Sequence, residues 1–494
     1  MAKEAALKAI VLLKNEKQIL PLSKKITSIT IIGTDATEAR LGGYSGPGNG
    51  KINILDGIKE KLGTAVNIYY AEGVERKEIN WKTISSSNLS AMINDVNVDG
   101  LKGEYFKELI PTEKPTLTRN DKQLDFSWTL FPPDPVLSLD HYSVRWSGQL
   151  TAPETGVYKI GLDGNDGYRL YINNFLMVDN WRKQTYSTRL ADYSFEKDKS
   201  YDIRVEFYEP AGNAHIRLVW NVGVKNDDER KIEKAVAAAK KSDIAIVVAG
   251  IHEGEFQDRA LLSLPGQQEQ LIQKIAATGK PVVVVLVGGS AIIMNNWIDK
   301  VNGIIDIWYP GEEGGHAVAD VLFGDYNPAG RLPVTFPLSE AQLPLVYNHK
   351  PTGRGDDYNN MSGLPVFPFG YGLSYTNFSY SNMQLDKKQI TTKESVNVHC
   401  SVTNTGSREG YEVVQLYIRD LLSSVARPVL ELKGFQRIHL QVGETKNISF
   451  TIRPEMLQML NEKMQTVVEP GDFRIMIGAS SRELWLKEVL KVIK

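Results

Sequence analysis

The chain has 494 residues, room for about three domains at roughly 150 residues each. Its 57 basic and 59 acidic side chains nearly cancel, which excludes a basic nucleic-acid footprint or membrane-surface stripe; no nucleic-acid or membrane partner is expected. The single cysteine, Cys400, excludes an internal disulfide framework and a Cys-based zinc site, and no apolar run approaches the roughly 18 residues of a membrane span.

The first fifteen residues read as an amphipathic helix, with Ala6, Ile10 and Leu13 at helical spacing. Glu4 and Lys8 interrupt the apolar region that a signal peptide needs. The run from Thr27 to Gly33 is a short β-rich segment ending in glycine. A glycine-rich loop follows at Leu41–Gly50, then a helical ILDGIKEKLG and a strand AVNIYYAEG. Those glycines do not sit at the offsets of a dinucleotide-binding fingerprint and read as a surface loop. Short apolar strands alternating with helices predict a parallel sheet covered on both faces.

From Gly100 to Trp220 the period changes to two. Tyr158, Ile160 and Leu162 alternate with polar or small residues, as do Ile203, Val205 and Phe207, and the runs are separated by turns such as Asp166-Gly167. This is an all-β sandwich or barrel of short strands. The α/β rhythm then resumes with a charged helix after Asp227, a buried strand IAIVVAG, a helix in PGQQEQLIQKIAATG, strands PVVVVLVGG and GIIDIWYPG, and a helix after GEEGG. From about residue 380, alternating Val396, Val398, Cys400 and Val402 open a second all-β region.

The expected fold is therefore multidomain α/β plus all-β: an α/β/α sandwich in two parts (1–96 and 223–379), interrupted by a β-sandwich (97–222) and followed by an immunoglobulin-like or fibronectin type III-like sandwich (380–494). Cys400, Tyr168, Trp181 and Trp220 read as core residues. Glu312 and Glu313 favour the N-terminus of the helix behind them. The aromatic FPFGYGLSY run reads as packing and turns.

Chemistry concentrates after IAIVVAG. Ligands of open parallel sheets bind beyond the carboxyl ends of the strands, and Glu253, Glu255 and Asp258 stand in such a loop. A carboxyl group there serves as a general acid when its pKa is raised; the alternative is a solvated acidic loop.

The run GEFQDR (Gly254–Arg259), with LSLP and QxxLI behind it, resembles the acid/base loop of glycoside hydrolase family 3. YPGEEGGHAVADVLFGDYNPAGRLPVTFP (Tyr309–Pro337), FPFGYGLSYTNFSY (Phe367–Tyr380), RPVLELKGFQRIHLQVGE (Arg427–Glu444) and AIVLLKNEKQILPL (Ala9–Leu22) are similar to further runs of that family. The inserted region resembles a protective-antigen-type (PA-14) module through GLKGEYF (Gly100–Phe106), NDGYRLYINN (Asn165–Asn174) and VDNW (Val178–Trp181). Its calcium-dependent relatives carry a paired-Asp turn that here reads Asn165-Asp166, so no metal is carried over.

The resemblance implies a β-glucosidase-like retaining hydrolase without cofactor, acting on β-linked glucosides or short oligosaccharides, with the inserted module shaping the aglycone side. It places the acid/base on Glu255, with Asp258 and Arg259 supporting the loop, Glu253 as the second candidate acid and His252 as a loop residue. It also implies that the nucleophile, an Asp on a (β/α)8 barrel, is supplied elsewhere: no SDW-like run occurs here, and such a barrel takes about 250 residues. A fragment of a longer enzyme, one subunit of a split enzyme and a catalytically inactive carbohydrate-binding protein all remain open, as does glucose against xylose. A leader ahead of the barrel would make the enzyme periplasmic or secreted; otherwise it would be cytoplasmic.

Overall fold

The computed structural model describes the chain apart from residues 44, 77–80, 129–130, 225–226, 255–257 and 354–355. It divides into two compact units, Met1–Lys77 with Asp228–Lys494, and Glu78–Asp227.

The first unit is built on a six-stranded sheet. Its strands are β1 (Val11–Asn15), β2 (Ser28–Ile32), β3 (Asn67–Ala71), β4 (Ile244–Gly250), β5 (Val282–Val287) and β6 (Gly303–Asp306), in the order β1-β6-β5-β4-β2-β3. All neighbours are parallel except β1, which runs antiparallel to β6. Every residue of β2, β4 and β5 is buried, which explains their unbroken apolar runs. Ile29, Ile31, Ile246 and Val285 face helices α1 (Ala2–Ala9), α2 (Ile54–Leu62) and α5 (Gly314–Phe323). Ile32, Val247 and Val284 face α3 (Asp228–Lys240) and α4 (Gln268–Ala276). At roughly 1.5–3 kcal/mol per buried aliphatic side chain, the two faces of β4 and β5 outweigh the surface ion pairs, worth about 0–1 kcal/mol each.

The N-terminal segment departs from its predicted helix. The helix stops at Ala9, and Val11–Asn15 pairs with Gly303–Asp306. Val11, Leu12 and Leu13 are all buried, Leu12 on one side of the sheet and Val11 and Leu13 on the other. Three consecutive buried apolar residues suit a strand between two helical layers better than one helix stripe.

The inserted unit starts earlier and ends later than the predicted 97–222. Lys82–Thr83 pairs with Ala214–Trp220, and Leu89–Ile93 with Tyr142–Thr151, so residues before 97 belong to its antiparallel sheets. Its core is aromatic: Tyr105, Trp146 and Phe207 are fully buried. Tyr105 OH and Trp146 Nε1 donate to Asp121 at 2.6 and 2.7 Å, and Arg119 Nε pairs with the same carboxylate at 2.7 Å. Tyr168 and Trp220 are buried as expected, whereas Trp181 is half-buried against Tyr208 and the Arg169 guanidinium.

The tail is a sandwich of three- and five-stranded sheets. The larger sheet contains β7 (Gly410–Asp420), β8 (Gly471–Gly478) and β9 (Leu486–Ile493). Cys400 lies in its core, and burial pushes the thiol up to about 11. The tail docks on the α/β part through the Arg331–Glu412 pair at 2.9 Å, to which Tyr380 OH adds a 2.7 Å hydrogen bond.

In the inserted unit Glu209 is fully buried beside Asp166. Burial first, and the neighbouring acid second, raise its carboxyl from 4.5 to about 8. A raised folded pKa favours folding while the group is protonated: the contribution is fully present below about pH 4.5 and is lost as pH rises through about 8. Thermal unfolding followed by tryptophan fluorescence should show the inserted unit losing stability across that window, and Glu209→Gln should flatten the dependence and raise the midpoint above pH 8. An unchanged pH profile in the variant would contradict this account.

Candidate active site

The chain leaves β2 toward β3 on one side and reaches β4 on the other side of β2. The loops after β2 and β4 therefore diverge, and a crevice opens at the carboxyl ends of the strands, where open α/β sheets bind ligands. A cavity of about 710 Å3 lies there. Its lining comes from Leu41–Gly43 after β2, Glu253 and Asp258–Arg259 after β4, Gly289–Ser290 after β5 and Tyr309 after β6.

The exit from β4 is clamped. Gln268, on α4, accepts from Gly250 N and donates to Gly250 O, both at 2.9 Å. Three residues on, the Glu253 carboxylate gathers the loops of three strands. It accepts hydrogen bonds from Gly289 N at 2.5 Å, Ser290 Oγ, and Tyr309 OH at 3.0 Å. Burial alone would raise its pKa, but Ser290, Gly289 and Tyr309, with the positive charge of Arg259, hold it below the ordinary carboxylate range. Burial and the Glu253 charge push the Tyr309 phenol up to about 12, so it remains a donor.

Arg259 closes the other end of the segment. Its Nη2 donates to Ser290 Oγ at 2.8 Å and to Ala291 O at 3.1 Å. Burial lowers its pKa somewhat, against the favourable charge of Glu253. Asp258 is exposed on the cavity wall and, among the described residues, forms no ion pair with Arg259. His252 is exposed. Glu255 lies outside the described residues, between flanks that both line the cavity.

Two glycines lie at close approach, Gly43 against backbone and Gly289 against a carboxylate oxygen. A Cβ on Gly43 would stand 2.9 Å from both Glu253 O and Gly254 Cα, and one on Gly289 would stand 3.0 Å from Glu253 Oε2. The glycine-rich loop thus packs backbone to backbone on the Glu253 segment. Arg40, 3.2 Å from buried Asp35, places its guanidinium 5.3 Å over the Tyr309 ring. Glu312 and Glu313 do more than favour a helix end: Glu312 accepts from Asn49 N at 2.5 Å, and Glu313 meets His316 Nδ1 at 2.6 Å. Below the cavity Asp306 is fully buried, and burial raises its carboxyl to about 7.

Ser290, Tyr309 and Gln268 were not singled out by sequence. For Ser290 and Tyr309 the available signal was their position just after buried strands, in VLVGGS and IDIWYPG; for Gln268 it was the start of the helix in PGQQEQ.

Comparison with known proteins agrees with this architecture. The model of the glycosyl hydrolase family 3 C-terminal domain matches residues 10–375, and that of the fibronectin type III-like domain matches residues 412–481. A xylan 1,4-beta-xylosidase of Xylanibacter ruminicola is 32% identical over 99% of this chain and 57% of its own length. A periplasmic beta-glucosidase of Salmonella typhimurium is 41% identical over 51% of this chain and 34% of its own length. The crystal structure of a beta-glucosidase from Kluyveromyces marxianus in complex with glucose superposes with TM-score 0.68 at 27% identity, covering 100% of this chain and 62% of that one. The chain therefore spans less than two thirds of each of these relatives.

Removing the Glu253 carboxylate breaks three hydrogen bonds to a charged acceptor, each worth about 1.5–3 kcal/mol when well shielded and less at this half-exposed position. Glu253→Ala should cost about 1–3 kcal/mol in the α/β unit at neutral pH. Because the folded pKa is lowered, that contribution is present above the unfolded value of 4.5 and fades as pH falls below it. Denaturant titrations at pH 7 and pH 3 that show equal deficits would refute the assignment.

Proposed function

The chain belongs to glycosyl hydrolase family 3, and on that premise we propose that it contributes the acid/base half of a retaining β-glycosidase site. The carrying observation is the cavity at the carboxyl ends of the strands, with both flanks of Glu255 on its wall. Glu255 is the acid/base in this reading: it protonates the leaving glycosidic oxygen, then activates water. Glu253 is disfavoured as the acid because three donors keep it ionised, whereas a general acid needs a raised pKa. Its role is to hold the loops after β4, β5 and β6 together. Arg259 anchors the far end of the segment, and Asp258 faces the cavity.

A retaining mechanism needs a second carboxyl about 5–5.5 Å from the first. In this reading that nucleophile is an Asp on a (β/α)8 barrel carried by a further segment or a separate subunit, which docks over the open cavity. Leu261, 69% exposed near its rim, fits such an interface. The substrates are β-linked glucosides or short oligosaccharides. The relatives include both a beta-glucosidase and a xylosidase, so the glycone is set by the barrel side. The inserted unit is read as a PA-14-type module.

Hydrolysis of p-nitrophenyl β-glucoside and cellobiose by the chain, with and without a separately expressed family 3 barrel, tests this. Turnover is expected only with the barrel. Glu255→Ala in the reconstituted enzyme should slow cellobiose hydrolysis by roughly 10²–10⁴-fold and harm the activated aryl glycoside less, since its leaving group needs little protonation. Robust hydrolysis by the chain alone, or equal losses on both substrates, would sink the reading.

A further inference from the structure

A second cavity, of about 600 Å3, lies between residues 344–352 and 356–369 and the outer face of the tail sandwich. Arg419 on β7 stands directly opposite Arg474 on β8. Directly opposed side chains in an antiparallel ladder have Cβ atoms about 4.5–5.5 Å apart, and like charges there destabilise the pair. Both arginines are half-buried and line the cavity. Among the described residues neither side chain has an ion pair or hydrogen bond. One row along the same face, Met476 pairs with Tyr417 and Lys487, which puts Lys487 on the same side. Arg482 also lines the cavity; among the described residues its one acidic lining residue is Asp356, 3.5 Å from His349 Nε2.

This concentration of positive charge is local, since the whole chain carries a net charge of -2. Ion pairs neutralise other arginines of the same domain, such as Arg427 with Glu431 at 3.1 Å. Beside the opposed arginines, Tyr347 and Phe369 stack at 4.1 Å and line the same cavity. Paired guanidinium groups match the geometry of a carboxylate or phosphate, and the volume falls in the range of small-molecule sites.

We propose that this cavity is a binding site for a small oxyanion-bearing molecule, a carboxylated or phosphorylated sugar, with its anionic group between Arg419 and Arg474 and its ring against Tyr347 and Phe369. The site is separate from the cavity at the sheet ends and does not depend on the catalytic reading.

Isothermal titration calorimetry of the whole chain with glucuronate, inorganic phosphate and glucose, at constant ionic strength, tests the proposal. Saturable binding of at least one anion and none of glucose is expected, weakened at least tenfold by Arg419→Gln or Arg474→Gln. Tighter binding of glucuronate supports a carboxylated sugar; tighter binding of phosphate supports a phosphorylated one. The ligand-free variants supply a second readout: relief of the opposed charges should leave the melting midpoint unchanged or raised. Absence of saturable binding by both anions overturns the proposal. So does undiminished binding in both variants, or a lowered midpoint in both, which would give the arginines a packing role.

Discussion

A parallel sheet buried on both faces leaves only the ends of its strands to meet water, and the α/β unit is organised by that constraint. The side chains of β2, β4 and β5 are taken up by the two helical layers. Chemistry has to come from the loops. The reversal of strand order at β2 and β4 separates two of those loops and opens the cavity between them. The Gln268 clamp on Gly250 and the glycine contact at Gly43 then fix Glu253 and Gly254 at the edge of that opening.

Three acids show how neighbours, rather than residue type, decide protonation. Glu253 is partly buried but meets three donors and a nearby guanidinium, and it stays ionised. Asp306 and Glu209 are buried with little compensation, and both are pushed up toward neutrality or beyond. Desolvation acts on all three; only Glu253 has donors enough to overcome it. A carboxylate held ionised by three donors carries no proton at neutral pH, and its work is to hold the loops.

The tail sandwich has two unlike faces. Its inner face is apolar around Cys400, Phe450 and Ile475. Its outer face meets the α/β part through Gln415 and leaves Arg419 and Arg474 opposed, whereas Glu412, in step with core-facing Val414 and Leu416, meets Arg331 from the inner side.

Periodicity in the chain was sufficient for the elements with a regular apolar pattern: the buried strands IAIVVAG and PVVVVLV, the α3 and α5 helices, and the alternating strands of both β regions. Such patterns are local, because each element presents its apolar residues to the layer that covers it. The N-terminal VLL run was not legible, since buried residues on both sides of a strand and on one side of a helix look alike over three positions. The start of the insertion was also hidden, because Lys82–Thr83, and one side of Leu89–Ile93, find their partners more than fifty residues away. The acidic loop was visible as a cluster of carboxylates, but not the donors that keep Glu253 ionised. The order of strands alone brings Gly289, Ser290 and Tyr309 to Glu253, and hydrogen bonds across 36 to 56 residues of sequence leave no trace in local composition.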